Sequence, residues 1–132
     1  LHAFIGHIEQ VPPRYSAVKV RGQPAHRRMR KGEVIELKPR MVEIRQIELL
    51  EYAPPPTPPP QEGERHTGTL TLRVACGPGT YIRALARDIG RVLGVGGYLT
   101  SLERTRIGTF TKANALTIEQ FRERWPQIAA SR

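Results

Sequence analysis

Apolar and polar positions change rhythm several times along this chain, and each rhythm predicts a different element. Residues 1–52 read as extended segments. Positions 40–44 alternate about Val42 and Ile44, and the phase slips before Ile47 and Leu49, which predicts a β-bulge. Residues 69–76 alternate cleanly, so Leu70, Leu72, Val74 and Cys76 are expected to face inward, with Thr71 and Arg73 outward. Gly77-Pro78-Gly79 then turns the chain. Over residues 80–93 the period becomes helical, with Ile82, Leu85, Ala86, Ile89 and Val92 on one stripe, and the glycines at 94–97 end it. Residues 99–108 read as extended. A last short helix is announced by a capping box, Thr117-x-x-Gln120, carries an apolar edge of Ile118, Phe121 and Trp125, and is expected to stop at Pro126.

Two stretches do not fit simple alternation. Residues 11–22 read VPPRYSAVKVRG. The prolines have no N–H to give a ladder and force an extended entry. A β-compatible run over 15–20 follows and ends at Arg21-Gly22. Strand period would place Tyr15, Ala17 and Lys19 on one face and Ser16, Val18 and Val20 on the other. A ring and an ammonium on one face, flanked by Arg14 and Arg21, suit stacking a base and holding its phosphates. Residues 53–68, APPPTPPPQEGERHTG, hold six prolines within seven positions, which favours polyproline II. They read as an exposed loop between two strands, with an SH3-type ligand as the competing reading.

Composition narrows the partner. At 132 residues the length suits one domain with a real core. The net charge is +9, and 17 of the 21 basic residues are arginine, which favours planar contacts to phosphate. A nucleic-acid partner is the leading reading, a merely basic soluble domain the other. Between residues 14 and 31 lie Arg14, Lys19, Arg21, Arg27, Arg28, Arg30 and Lys31 with no acid, which reads as an anion-facing patch or a solvated face. The single cysteine, Cys76, excludes an intramolecular disulfide and a cysteine-rich zinc site, and no histidine or acid cluster suggests any metal. No apolar run reaches membrane-spanning length and no signal-peptide pattern is present, so cytoplasmic residence is expected. The opening residue is Leu1 rather than methionine, and a fragment or processed piece is expected.

Residues 76–90, CGPGTYIRALARDIG, pose an electrostatic puzzle. Arg83 and Arg87 are four apart and Arg91 continues the row, a spacing at which like charges repel. Arg83 also falls in the first helical turn, where the macrodipole disfavours a cation. Together these call for an anionic partner, phosphate or a carboxylate from elsewhere in the fold. The alternative is a solvated stripe relieved by Asp88 pairing with Arg91.

The segments QVPPRYSAVKVRG and CGPGTYIRALARDIG…LGVGGYLTSLERTRIGTF, in that order, resemble the bacterial TruB family, the tRNA pseudouridine-55 synthases. The similarity runs over residues 4–121 apart from the proline loop. It implies an α/β (α+β) pseudouridine synthase fold, a mixed, mostly antiparallel sheet with packed helices, of which only part is present. Residues 1–125 would be the C-terminal portion of the catalytic domain, with the Pro-rich insertion at 53–68, and 126–132 a tail. Matched position by position, Tyr15 corresponds to the tyrosine that lies against the target uracil and is implicated in proton removal. Lys19 supports the same face. Tyr81 packs in the uridine pocket, Arg83 pairs with the catalytic aspartate, and Leu102 closes the pocket over the base. Arg14, Arg21, Arg27, Arg28, Arg30 and Lys31 would meet the RNA backbone. His26, Arg27-Arg28-Met29 and Pro78 depart from the family pattern, whereas Tyr15 before Ser16 favours the stand-alone bacterial branch.

The resemblance further implies isomerisation of uridine 55 in the T-loop of tRNA, with the T-arm as partner. It implies no cofactor, no metal, no membrane, and a monomeric full-length enzyme. Family chemistry needs a nucleophilic aspartate in a GxLDPxAxG-like loop. The only aspartate here, Asp88, stands in ALARDIGR within a helix, so the loop is expected upstream of Leu1 and the fragment is expected to be inactive alone. A non-catalytic RNA-binding remnant of the same fold is the alternative.

Overall fold

The computed structural model describes residues 1–13, 15–16, 18–20, 22–55 and 68–130. In chain order it forms a 3₁₀ turn His2–Phe4, β1 (Gly6–Gln10), β2 (Lys19–Val20), β3 (Gln23–Pro24) and α1 (Ala25–Arg30). After these come β4 (Arg40–Ala53), β5 (Thr69–Cys76) and α2 (Ile82–Val92). A second compact unit, Leu99–Arg132, holds β6 (Arg106–Ile107), β7 (Phe110–Thr111), a 3₁₀ turn Lys112–Asn114 and α3 (Ile118–Ala130). The α+β architecture and antiparallel pairing expected from the sequence are what form.

The long strand β4 organises the first unit. Its start pairs with β1, from Gly6↔Ile44 to Gln10↔Arg40, and its remainder pairs with β5, from Ile44↔Cys76 to Ala53↔Thr69. Ile44 is thus bonded to strands on both sides, and its side chain is fully buried (0% exposed). The expected bulge is present, a register shift between Ile44 and Gln46, and a second shift falls between Leu49 and Glu51. At the first, Arg45 turns its guanidinium to the Cys76 carbonyl (2.9 Å). The bulge keeps Ile47 facing inward after Ile44, so Ile47, Leu72, Val74 and Cys76 join Ile44, Leu85 and Ile89 of α2 in one core, with Phe4 and Ile8. The far end of the β4–β5 ribbon runs past the helix, which leaves Leu49, Leu50, Tyr52 and Leu70 exposed. Leu70 therefore does not face a core as its alternation predicted. Val92 likewise is 73% exposed, because the packed cluster on α2 ends at Ile89.

A second, smaller core joins Val18, Ala25 and Leu37, with Ile35 and Tyr81 against it. Here the expected β-run over 15–20 shrinks to Lys19–Val20, paired with Gln23–Pro24, and Tyr15 and Ser16 lie in a bend. The turn at Gly22 (φ +80°) gives each arm only two residues, and the prolines upstream cannot extend the ladder. Burial still alternates as read: Tyr15 is out, Ser16 and Val18 are in. Helix α1 interrupts a region expected to be extended. Ala, Arg and Met favour a helix, and its arginines sit toward the C-terminal end, where the macrodipole welcomes them.

In the second unit, β6 and β7 form a two-residue hairpin at Gly108 (φ +56°), where plain extension was expected. The capping box is present: Gln120 N–H donates to Thr117 Oγ1 (3.2 Å), and Thr117 N–H donates to Gln120 Oε1 (3.0 Å). Helix α3 continues through Pro126 to Ala130 rather than stopping there: the proline costs the helix one N–H and crowds the carbonyl a turn earlier, and the turns on both sides of it still form. The proline loop over 56–67, the last two residues, Arg14, Ala17 and Arg21 lie outside the described residues.

Candidate active site

The amino end of α2 and the segment following β1 are held together by three side chains. Gln10, the last residue of β1, accepts from the Tyr81 N–H through Oε1 (2.8 Å) and donates through Nε2 to the Tyr81 carbonyl (3.2 Å). Arg83 donates to the Tyr15 carbonyl (3.0 Å). Arg87 donates to the Val11 carbonyl (3.1 Å). These carbonyls flank Pro12 and Pro13, which bring no donors, so helix side chains supply what a neighbouring strand would have supplied. The two arginines that look like anion binders in the sequence thus also hold the backbone of the segment bearing Tyr15.

Their electrostatics differ. Asp88 pairs with Arg87 through both arms, Nε–Oδ1 at 2.8 Å and Nη2–Oδ2 at 3.0 Å, and this hydrogen bonding raises the Arg87 pKa above its ordinary value. The Asp88–Arg91 pairing read from the sequence is therefore corrected, since the anchor on Val11 brings the Arg87 guanidinium back over its neighbour. Among the described residues no carboxylate pairs with Arg83, which stands exposed with further N–H donors on its guanidinium.

Tyr15 is 61% exposed, and its main chain carries the carbonyl that Arg83 holds. Tyr81, half-buried, packs on the Val18, Ala25 and Leu37 core while its backbone opens α2. The two sequence segments that carry Tyr15, Tyr81 and Arg83 are therefore joined, through the Tyr15 carbonyl and the Tyr81 backbone. Lys19 is placed by its backbone in β2, opposite Pro24, and the strand period that was to align it with Tyr15 does not run between them. Leu102 lies in the second unit and is exposed.

The basic patch has structure of its own. Arg27, Arg30 and Lys31 are exposed around the end of α1. Arg28 is engaged by Glu33 (Nε–Oε2 2.7 Å, Nη2–Oε2 2.5 Å), an acid just past the acid-free run that the Gly32 turn (φ +80°) folds back. Arg14 and Arg21 lie outside the described residues. Gln10 escaped sequence reasoning, and its one signal was a polar residue at an inward position of an alternating strand. Among the described residues no cluster of His, Cys, Asp and Glu could hold a metal, and no helix is long and apolar enough to cross a membrane.

A tyrosine-bearing segment tied to an arginine-bearing helix has a class among known proteins. The family described as "TruB family pseudouridylate synthase (N terminal domain)" matches residues 1–82, and "tRNA pseudouridylate synthase B C-terminal domain" matches residues 83–130. The chain belongs to the TruB family of pseudouridylate synthases. Among similar proteins, the tRNA pseudouridine synthase B of Thermobifida fusca is 47% identical over 118 residues, covering 89% of this chain and 39% of that protein. That of Francisella philomiragia subsp. philomiragia is 43% identical over 123 residues, covering 93% of this chain and 36% of that protein. That of Francisella tularensis subsp. holarctica is 41% identical over 123 residues, with the same shares. The chain spans less than two-fifths of the length of these relatives.

Proposed function

We propose that this chain is part of a tRNA pseudouridine synthase, resident in the cytoplasm, that isomerises uridine 55 in the T-loop of tRNA. The observation that carries the reading is the Arg83–Tyr15 contact, which joins the two family segments around an arginine with no carboxylate partner among the described residues. A nucleophilic carboxylate from outside these 132 residues would complete the pair, and Arg83 would keep it ionised and oriented. The target uridine is flipped out of the T-arm to reach the site. The bond from ribose C1′ to N1 breaks, a bond from C1′ to C5 forms, the proton leaves C5, and N1 regains one, so the reaction is redox-neutral. Tyr15 and Tyr81 offer aromatic contact that replaces lost stacking, worth roughly 1–3 kcal/mol per base. Tyr15, an exposed side chain, would take part in the proton's removal.

The test is pseudouridine formation on an unmodified T-arm stem-loop, comparing this chain with the same chain extended by its own upstream gene sequence. Activity is expected in the extended protein alone. In the extended protein, Arg83→Ala should lower turnover by about a hundredfold or more while RNA binding survives. Turnover by the 132-residue chain itself, or near-normal turnover by the arginine variant, would refute the mechanism. Binding without turnover in either form would favour the RNA-binding remnant.

A further inference from the structure

We propose that Gln10 is a positioning residue of this site: its amide clamps the backbone of Tyr81 and thereby fixes where Arg83 meets the Tyr15 segment. The inference rests on the reading of the site as that of a pseudouridine synthase. Gln10 is 1% exposed, one of only two buried polar or charged side chains among the described residues. Both ends of its amide are used on a single residue seventy-one positions away. It pairs with Tyr81 as a neighbouring strand would, at a point where the chain beyond β1 runs into prolines and no strand can follow.

Tyr81 is the right place for such a clamp. It precedes the first turn of α2 in extended conformation (φ −99°, ψ 106°), without a side-chain cap. Its carbonyl accepts from the Ala84 and Leu85 N–H groups that start the helix, each at 3.0 Å. Arg83 lies in that first turn, and Tyr15 follows Gln10 in the segment that Arg83 grips. The Gln10–Tyr81 and Arg83–Tyr15 links therefore join the same two pieces of chain at points a few residues apart. Loosening the first lets the second slide, although among the described residues the Gln10 amide bonds to the Tyr81 backbone and not to Arg83 or the Tyr15 side chain.

The donor–acceptor pattern requires an amide. Leucine would fill the space but leave the part-buried Tyr81 N–H without its acceptor. An ionised glutamate would accept from that N–H yet turn a second anionic oxygen to the Tyr81 carbonyl. A protonated glutamate restores the donor. Gln10→Glu is therefore expected to show a pH signature that Gln10→Leu lacks.

The experiment uses the full-length protein containing this chain, with pseudouridine formation on a T-arm stem-loop as the readout. Gln10→Leu should lower kcat by roughly tenfold while KM for the RNA stays within about twofold. Relative to the parent at the same pH, Gln10→Glu should recover as pH falls through the range where the buried carboxyl takes up its proton. Combined with Arg83→Lys, Gln10→Leu should cost little beyond Arg83→Lys alone, because both act through one contact. A merely structural role would make the two losses multiply, and would leave the Gln10→Glu to parent ratio flat with pH; either result overturns the proposal. Should Gln10→Leu fail to fold, the Gln10→Glu profile decides alone. An inactive parent would refute the function and the positioning role with it, whereas an active parent with a fully active Gln10→Leu refutes only the latter.

Discussion

Arg83, Arg87 and Arg91 share one side of a helix, yet the fold treats each differently. Arg87 is neutralised by Asp88 and anchored on Val11, Arg83 is anchored on Tyr15 without a carboxylate, and Arg91 is left exposed. The repulsion read from their spacing is real, and main-chain carbonyls relieve part of it. Of the two without a carboxylate partner among the described residues, Arg83 is the one in the first helical turn, where the macrodipole disfavours a cation. Glu119 shows the opposite economy. Its carboxylate is held below the ordinary range first by its own backbone N–H and then by the Thr117 hydroxyl, at the amino end of α3. A lowered carboxyl pKa contributes stability that is complete above the ordinary carboxylate range and is lost as pH falls through the lowered value. Glu119→Gln should therefore lower the helix's thermal stability slightly at pH 7, and the two proteins should converge in acid, as followed by circular dichroism of the full-length protein. A difference that persists or grows in acid would show that the carboxylate charge is irrelevant there.

At the scale of elements, the periodic segments were legible because one buried face imposes one period. The inner half of β5 (Leu72, Val74 and Cys76), Leu85 and Ile89 of the α2 stripe and the capping box of α3 stand where alternation, helical spacing and cap chemistry placed them. Even the first β4 bulge was visible as a slipped phase. Short elements were not legible, since a two-residue strand or a six-residue helix has too few positions to show a period. Helix α2 ends by folding its glycine loop back on itself: the Val95 and Gly96 N–H groups both donate to the Gly90 carbonyl, at 3.1 and 3.0 Å. A methyl group on Gly90 would overlap the Gly96–Gly97 peptide. Helix propensity alone makes Gly90→Ala favourable by about 1 kcal/mol. The overlap is with backbone that has no rotamer to escape into, so the net expectation is a loss of roughly 1–3 kcal/mol, measured by urea unfolding of the full-length protein. A stabilised variant would mean that the loop sits away from the helix.

For the whole molecule, net charge sets how strongly RNA is held and how salt weakens it. If Arg27, Arg30 and Lys31 meet phosphates, replacing all three by alanine should reduce the slope of log Kd against log salt by roughly two to three units. Arg28→Ala should change that slope far less, because Glu33 already holds its guanidinium. Equal slopes for the triple variant and the parent would remove the α1 patch from the RNA interface. The residue types alone determined the strongly basic character, the strand and helix faces that must be buried, and the family to which the chain belongs, since each depends on local order along the chain. The tertiary structure decided which arginine would be spent on Asp88, which on carbonyls and which on Glu33, and it turned Gln10 inward to hold Tyr81. The contacts of Gln10, Arg83 and Arg87 to main-chain groups join residues roughly seventy positions apart, and hydrogen-bond partners at such separation leave no period in the sequence.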